Sequence, residues 1–270
     1  MKVAAILQAR STSSRLPGKA MLPIADYPTA VLAALRAANL GLEVIAASST
    51  DSSDDQLIET FQKHNVRTFR GPMGNVLARY CLASAGMAEE DLVIRLTADN
   101  LFPDGGFLHE LIAAFQTSGT QYMTTSPVDS RLLYGLSAEI FSVEILRNAD
   151  KKAMSDSDRE HVTPWIIRNC QTQTFTPQQI GDTDHSYLRC TIDDQDDYQQ
   201  MQQVFNDVSD PIRMGWYELT RRLVTLPGQS SFRVPYRVIS GQPHSEFTLG
   251  TVQLGMEYGI VNRRGKPSLA

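Results

Sequence analysis

The chain alternates short apolar runs with longer stretches whose apolar residues recur at helical spacing. Residues 3–8 (VAAILQ) form a near-continuous apolar run, and this predicts a buried strand. Residues 42–47 (LEVIAA), 66–69 and 91–96 (DLVIRL) predict three more strands. Residues 28–40, 54–64 and 75–86 carry helical spacing, the first with proline near its opening turn and the last ending in glycine. Residues 107–116 predict a further helix. Strands alternating with helices of this length indicate right-handed βαβ units and a mainly parallel sheet. Ligands of such sheets sit beyond the carboxyl ends of the strands, which singles out the polar loops after Gln8, Ala47 and Leu96.

The second half is less regular. Residues 138–141 and 187–192 predict strands, and 159–169, 196–208 and 216–224 predict helices. Residues 226–246, rich in Pro, Gly and Ser, predict a linker. The chain shows no internal repeat.

Composition narrows the class only slightly. The 270 residues are 42% hydrophobic and 20% charged, enough to build a sizeable core. The net charge of −5 argues against general nucleic-acid binding, which needs a basic surface. Three widely spaced cysteines (Cys81, Cys170, Cys190) make neither a disulfide framework nor a zinc pattern, and they suit a reducing cytoplasm. No run approaches the ~18 apolar residues of a membrane span, and the first apolar run is too short for a signal peptide.

The densest chemistry lies in the loop Gln8-Ala9-Arg10-Ser11-Thr12-Ser13-Ser14-Arg15-Leu16-Pro17-Gly18-Lys19. Three cations and three serines at a strand end offer guanidinium forks, hydroxyls and backbone N–H groups to a polyphosphate. Arg10 and Arg15 can bridge phosphate oxygens, Lys19 supplies a mobile point charge, and Gly18 permits close backbone approach. A solvated basic turn is the bland alternative. The loop matches neither the GxxxxGK nor the GxGxxG pattern.

Two acidic segments are candidate partners for that loop. Asp99, in Arg95-Leu96-Thr97-Ala98-Asp99-Asn100, follows the fourth strand and reads equally as a Mg²⁺ ligand or a helix cap. In Ile192-Asp193-Asp194-Gln195-Asp196-Asp197 capping of the following helix is the strong alternative.

AILQARSTSSRLPGK resembles the opening motif of the cytidylyltransferases that include CMP-Kdo synthetase, and is most similar to the branch called spore-coat polysaccharide biosynthesis protein F. Ser11-Thr12 stand where many relatives carry Met-Gly. LTADNLFPD and RCTIDDQDDY resemble the two metal-binding segments of that family, which favours Asp99 and Asp193 as the metal pair and leaves Asp194, Asp196 and Asp197 as caps or solvated charge. The resemblance implies a Rossmann-like nucleotidyltransferase fold and CMP transfer from CTP to an acidic or phosphorylated sugar for surface polysaccharide, with Mg²⁺ as cofactor and pyrophosphate as product. Arg10, Arg15 and Lys19 would be catalytic. Gln8, Ala9, Ser11, Ser14, Gly18, Asp51 and Thr97 would bind the nucleotide. Arg79, Asn100, Glu139, Arg159 and His161 would bind the acceptor, the last two on a match to R-E-H-V-T. Asn75 and Ser137 replace aspartates of the family pattern. Relatives are often dimers, so a homodimer is among the expectations.

Residues 247–270, with LGTVQLGMEYGIVNRRGKPS, do not fit the transferase pattern. They are similar to the first strand and turn of an aldo/keto reductase. The expected organisation is therefore a cytidylyltransferase-like domain over 1–225, a linker over 226–246 and a truncated reductase start, fused or remnant, that is too short to work as a reductase. Two other readings stand beside this one: another nucleotide-sugar transferase, or a non-catalytic module of a fused protein.

Overall fold

The computed structural model describes residues 1–125, 130–226, 236–239 and 242–245. Its elements follow the apolar pattern. In chain order they are β1 (Val3–Gln8), the two-residue strands β2 (Pro23–Ile24) and β3 (Tyr27–Pro28), α1 (Thr29–Ala37), β4 (Glu43–Ser49), α2 (Asp55–Lys63), β5 (Arg67–Gly71), α3 (Val76–Ala83) and β6 (Leu92–Thr97). There follow α4 (Gly105–Ser118), β7 (Tyr122–Thr124), β8 (Glu139–Ser142), α5 (Val143–Lys152), α6 (Asp156–His161), α7 (Pro164–Asn169), β9 (Thr172–Thr174), α8 (Gln195–Phe205) and α9 (Trp216–Thr225).

Among the described residues the central sheet has seven strands in the order β5-β4-β1-β6-β8-β7-β9. The pairs of β1 with β4 and β6, of β4 with β5 and of β7 with β9 are parallel, while β8 runs antiparallel to β6 and β7. This α/β sheet is the mainly parallel one that the sequence predicts.

Strand alternation divides the core into two layers. Ala5, Leu7, Ala46, Ile94 and Leu96 face a cluster built with α1, α4, α8 and α9. Ile6, Ile45 and Val93 face the opposite cluster, built with α3 and α5. Because helices cover both faces, β1 has no polar face, and Ala4 to Leu7 are all buried.

Beyond the short strands β2, β3, β7 and β9, which the sequence reading did not include, four local outcomes differ from it. The helix expected over 159–169 is broken in two. Val162 adopts φ 71° and Pro164, which has no N–H to give, opens the second piece. The strand expected over 187–192 makes only the isolated bridges Tyr134–Arg189 and Asn100–Thr191. Its alternation reflects Leu188, Cys190 and Ile192 facing the core, without strand pairing. Helix α5, missed in the sequence, buries Val143, Leu146 and Ala149, and the Ser142 hydroxyl accepts from the Ile145 N–H to cap it. The span 226–246 includes an antiparallel pair, β10 (Tyr236–Ile239) with β11 (Gln242–Ser245). The expectation for 247–270 lies outside the described residues.

The first unit, Met1–Gln229, is closed by one buried cation. Arg36 is fully buried and donates to the carbonyls of Leu101 (2.6 Å), Phe102 (3.3 Å), Pro211 (2.5 Å) and Met214 (2.8 Å). Burial lowers its pKa to about 10 although Asp104 opposes the shift. Asp104, 3.7 Å away, accepts from the Phe107 N–H at the start of α4 and from the Trp216 N–H at the start of α9. Among the described residues, no helix is long and apolar enough to cross a membrane.

Arg36→Met leaves these carbonyls and Asp104 without their cation, so the variant is expected to lose about 3 kcal/mol of stability. Urea unfolding followed by tryptophan fluorescence measures this, and a midpoint unchanged from wild type would contradict the role.

Candidate active site

Register brings three strand ends together. Gln8 lies opposite Ala47 on one side and Thr97 on the other, so the loops after β1, β4 and β6 leave the sheet side by side. Beyond these ends is a cavity of ≈ 220 Å³ lined by Gln8, Ala9, Arg10, Thr12, Ser13, Ser14, Arg15, Lys19, Ala20, Thr29, Thr97, Ala98, Asp99 and Asp193.

The cationic loop is fixed at both ends. Near its start, the Ser11 N–H donates to Asp54 Oδ1 at 2.7 Å. Asp54 is fully buried and also accepts from the Ser49 N–H (3.1 Å) and the Ser49 hydroxyl. Burial pushes the Asp54 carboxyl up, but the donors from Ser49 and Ser11 outweigh it and hold the pKa below the ordinary value. At the other end Gly18 takes φ 70°, which favours glycine, and opens the short turn Lys19–Met21. That turn aims Lys19 at the acids: its ammonium donates to Asp99 Oδ2 (2.7 Å), the Ile192 carbonyl (2.7 Å) and Asp193 Oδ1 (3.2 Å).

The two acids come from distant segments joined backbone to backbone. The Ile192 N–H donates to the Asp99 carbonyl at 3.0 Å, and Asn100 bridges Thr191. Gly135 allows the second segment to come this close. Its φ is 105°, and a Cβ there would lie 2.5 Å from the Thr191 amide nitrogen.

Asp193 is held from three sides. Arg15 Nη2 donates to Oδ1 at 2.8 Å, and Arg189 Nη2 donates to Oδ2. Arg189 Nε also meets both oxygens of the buried Asp197 (3.0 and 3.1 Å), and its guanidinium lies 4.8 Å from the centre of the Tyr134 ring. Asp197 in turn accepts from the Asp193 N–H at 2.9 Å. Burial raises the Asp193 pKa, but Lys19 first, then Arg15 and Arg189, more than reverse this and leave the carboxyl below its ordinary value.

A second cavity of ≈ 330 Å³ shares Gln8 and Arg10 with the first and is otherwise lined by Ser49, Met73, Gly74, Val76, Arg79, Glu160 and His161. Arg79 is buried and its guanidinium donates to the carbonyls of Pro72 (3.1 and 2.7 Å) and Met73 (2.9 Å), so it shapes this wall. The Asn75 side chain accepts from the Ala78 N–H and caps α3.

The structure thus brings together Gln8, Ala9, Arg10, Ser14, Arg15, Lys19, Thr97, Asp99 and Asp193 in one cleft, with Arg79 and His161 in its neighbour. Ser11 and Gly18 act through the backbone. Asp51, expected at the nucleotide, is an exposed cap accepting from the Ser53 N–H at 2.9 Å and lines neither cavity. Glu139, expected at the acceptor, is taken up by Arg95, Tyr122 and Thr163 within the sheet. Arg159 donates to the Ala153 carbonyl and faces Asp150. Asn100 Nδ2 donates to Thr97 Oγ1 at 2.9 Å, and neither Arg159 nor Asn100 lines either of these two cavities. Asp194 caps α8, Asp196 is exposed, and Asp197, read as a cap or solvated charge, is buried under Asp193.

Sequence reasoning missed Asp54, Arg189, Glu160 and the Ile192 carbonyl. The signal for Asp54 was present: it precedes Leu57, Ile58 and Phe61 by three, four and seven residues, in line with the buried stripe of α2.

Asp99 Oδ2, Asp193 Oδ1 and the Ile192 carbonyl already lie within 3.2 Å of a single cationic nitrogen. Two carboxylate oxygens converging on one cation fit magnesium, which takes few protein oxygens and completes its shell with phosphate and water. Among the described residues there is no cluster of three or more His, Cys, Asp or Glu side chains that would hold a metal unaided.

A cation-rich loop facing acids across the carboxyl edge of such a sheet defines a nucleotidyltransferase. The fold agrees: the chain superposes on a cytidylyltransferase from Leptospira borgpetersenii (TM-score 0.77, 24% identity, 88% of this chain and 100% of that one). It also matches CMP:2-keto-3-deoxy-manno-octonic acid synthetase solved with CTP (TM-score 0.53, 15% identity, 75% of this chain and 97% of that one). In sequence it is 27% identical over 211 residues to the spore coat polysaccharide biosynthesis protein SpsF of Bacillus subtilis, covering 74% of this chain and 85% of that protein. An uncharacterized protein of Methanocaldococcus jannaschii is 30% identical over 171 residues, covering 63% of this chain and 68% of that protein. The cytidylyltransferase family model matches residues 4–235, and the chain belongs to that family.

The lowered pKa of Asp193 sets an acid limb on stability. The ionised carboxylate contributes fully above its unfolded pKa of about 3.9, and the contribution is lost as pH falls toward the lower folded value. Asp193→Asn is expected to flatten this part of the stability profile. Urea midpoints measured across this acid range check it, and parallel curves for the two proteins would refute the assignment.

Proposed function

We propose that the enzyme transfers CMP from CTP to a hydroxyl of an acidic or phosphorylated sugar, releases pyrophosphate, and so supplies an activated sugar for surface polysaccharide. The observation that carries this reading is the meeting of Arg10, Arg15 and Lys19 with Asp99 and Asp193 in one cleft. Membership of the cytidylyltransferase family supports CTP as donor, and the polysaccharide role of the SpsF relative supports a sugar acceptor.

In this reading the triphosphate lies along the loop 9–19, in the first cavity, with the acceptor in the second. Gln8 sits on the wall between them, and its buried Oε1 has no hydrogen-bond partner, so it suits a donor such as the exocyclic amine of cytosine. The acceptor hydroxyl oxygen attacks the α-phosphorus. The bond from that phosphorus to the β-phosphate oxygen breaks, pyrophosphate leaves, and the hydroxyl proton passes to solvent. Arg10, Arg15 and Lys19 oppose the charge that grows on the leaving group, and Arg79 and His161 orient the acceptor. Magnesium held by Asp99 and Asp193 would supply further neutralisation of phosphate charge. No covalent protein nucleophile is required.

The test is pyrophosphate release from CTP, UTP, GTP and ATP with Mg²⁺ and a panel of sugar acids and sugar phosphates. CTP is expected to be preferred, and Asp99→Asn to slow turnover by about 100-fold or more while the circular dichroism spectrum is unchanged. Full turnover in Asp99→Asn would remove the acid pair from the mechanism. Preference for another triphosphate would remove CTP.

A further inference from the structure

The three cations of the loop are not in equivalent states. Arg10 is exposed and forms no ion pair among the described residues. Arg15 keeps 66% of its side chain exposed while touching Asp193. Lys19 is only 17% exposed, and its three ammonium protons match the three oxygens around it, from Asp99, Ile192 and Asp193. In this geometry Lys19 has no donor left for a phosphate. It also fills the position between the two carboxylates that a divalent cation would take.

We infer that Lys19 is the resident counter-ion of the acid pair in the nucleotide-free enzyme. It keeps divalent cations out until a polyphosphate draws it away. This inference rests on the reading of the acid pair as a metal site in the preceding subsection. A tethered ammonium and a free divalent ion compete for the same oxygens, and tethering gives the ammonium a high effective concentration. Metal alone therefore binds poorly. Incoming phosphates give the ammonium new acceptors and bring oxygens to complete the metal shell, so nucleotide and metal assist each other's binding, and the assistance is reciprocal. When pyrophosphate leaves, the ammonium returns to the acids and displaces the metal. Arg189 makes the competition sharp: by holding Asp193 Oδ2 it leaves Oδ1 as the oxygen for which Lys19, Arg15 and the metal contend.

The experiment is titration of nucleotide-free enzyme with Mn²⁺, reading free Mn²⁺ by electron paramagnetic resonance. Wild type, Lys19→Met and Arg15→Met are compared. Each variant removes one positive charge beside Asp193, but only Lys19 bridges both acids. Lys19→Met is expected to tighten Mn²⁺ binding at least about tenfold, and Arg15→Met by a much smaller factor. No gain in Lys19→Met, or equal gains in the two variants, overturns the inference. If Lys19→Met fails to fold, nitrogen-15 NMR of the wild-type lysine ammonium groups decides. The Lys19 signal is expected to persist with Mg²⁺ alone and to shift with Mg²⁺ plus CTP. A shift with Mg²⁺ alone overturns the proposal. Unchanged Mn²⁺ affinity in Lys19→Met, alongside CTP-dependent pyrophosphate release by the wild-type enzyme, sinks this inference and spares the proposed function. Absence of bound Mn²⁺ even with CTP present sinks the metal reading and this inference with it.

Discussion

A single ammonium group ties the site together. Lys19 draws oxygens from the loop after β6 and from the segment before α8 onto the loop after β1. Two carboxylates this close repel each other unless a cation stands between them, and partial burial strengthens both the repulsion and its relief. The cation-rich loop thus also holds together the acids that oppose it. Its own path depends on a second buried carboxylate, Asp54, which holds the backbone at Ser11 against the end of β4.

The two oxygens of Asp193 are divided between partners: Arg189 takes Oδ2, while Lys19 and Arg15 share Oδ1. Arg189 spans Asp193 and Asp197, and Asp197 returns a contact to the Asp193 backbone. Gly135 lets the strand-like segment through 191 press against its neighbour where any side chain would collide. Each of these residues acts on the direction of the Asp193 carboxylate.

The sheet was legible because strands 3–8, 42–47 and 91–96 are buried on both faces and read as apolar runs. The loop 8–19 was legible because its chemistry is contiguous in sequence. The support around it was not, because Asp54, Arg189 and the Ile192 carbonyl act through contacts between distant segments. Asp197 was misread for a related reason: an acid in the first turn of a helix looks like a cap, and only the approach of Arg189 makes it a buried partner. Glu139 was misplaced because β8 runs antiparallel between β6 and β7, where Arg95 and Tyr122 face it. Helix α5 was missed although Val143, Leu146 and Ala149 recur every three residues among charged ones, as one buried helical stripe does.

The two cavities share Gln8 and Arg10 and nothing else, and this partition has an evolutionary consequence. Met73, Gly74, Glu160 and His161 belong to the turn before α3 and to α6, which contribute no residue to the lining of the cation-rich chamber. Drift at these four positions reshapes one room without disturbing the other. The scaffold can therefore be retuned to new small molecules on one side of a fixed partition, while a change at Arg10 alters both sides at once.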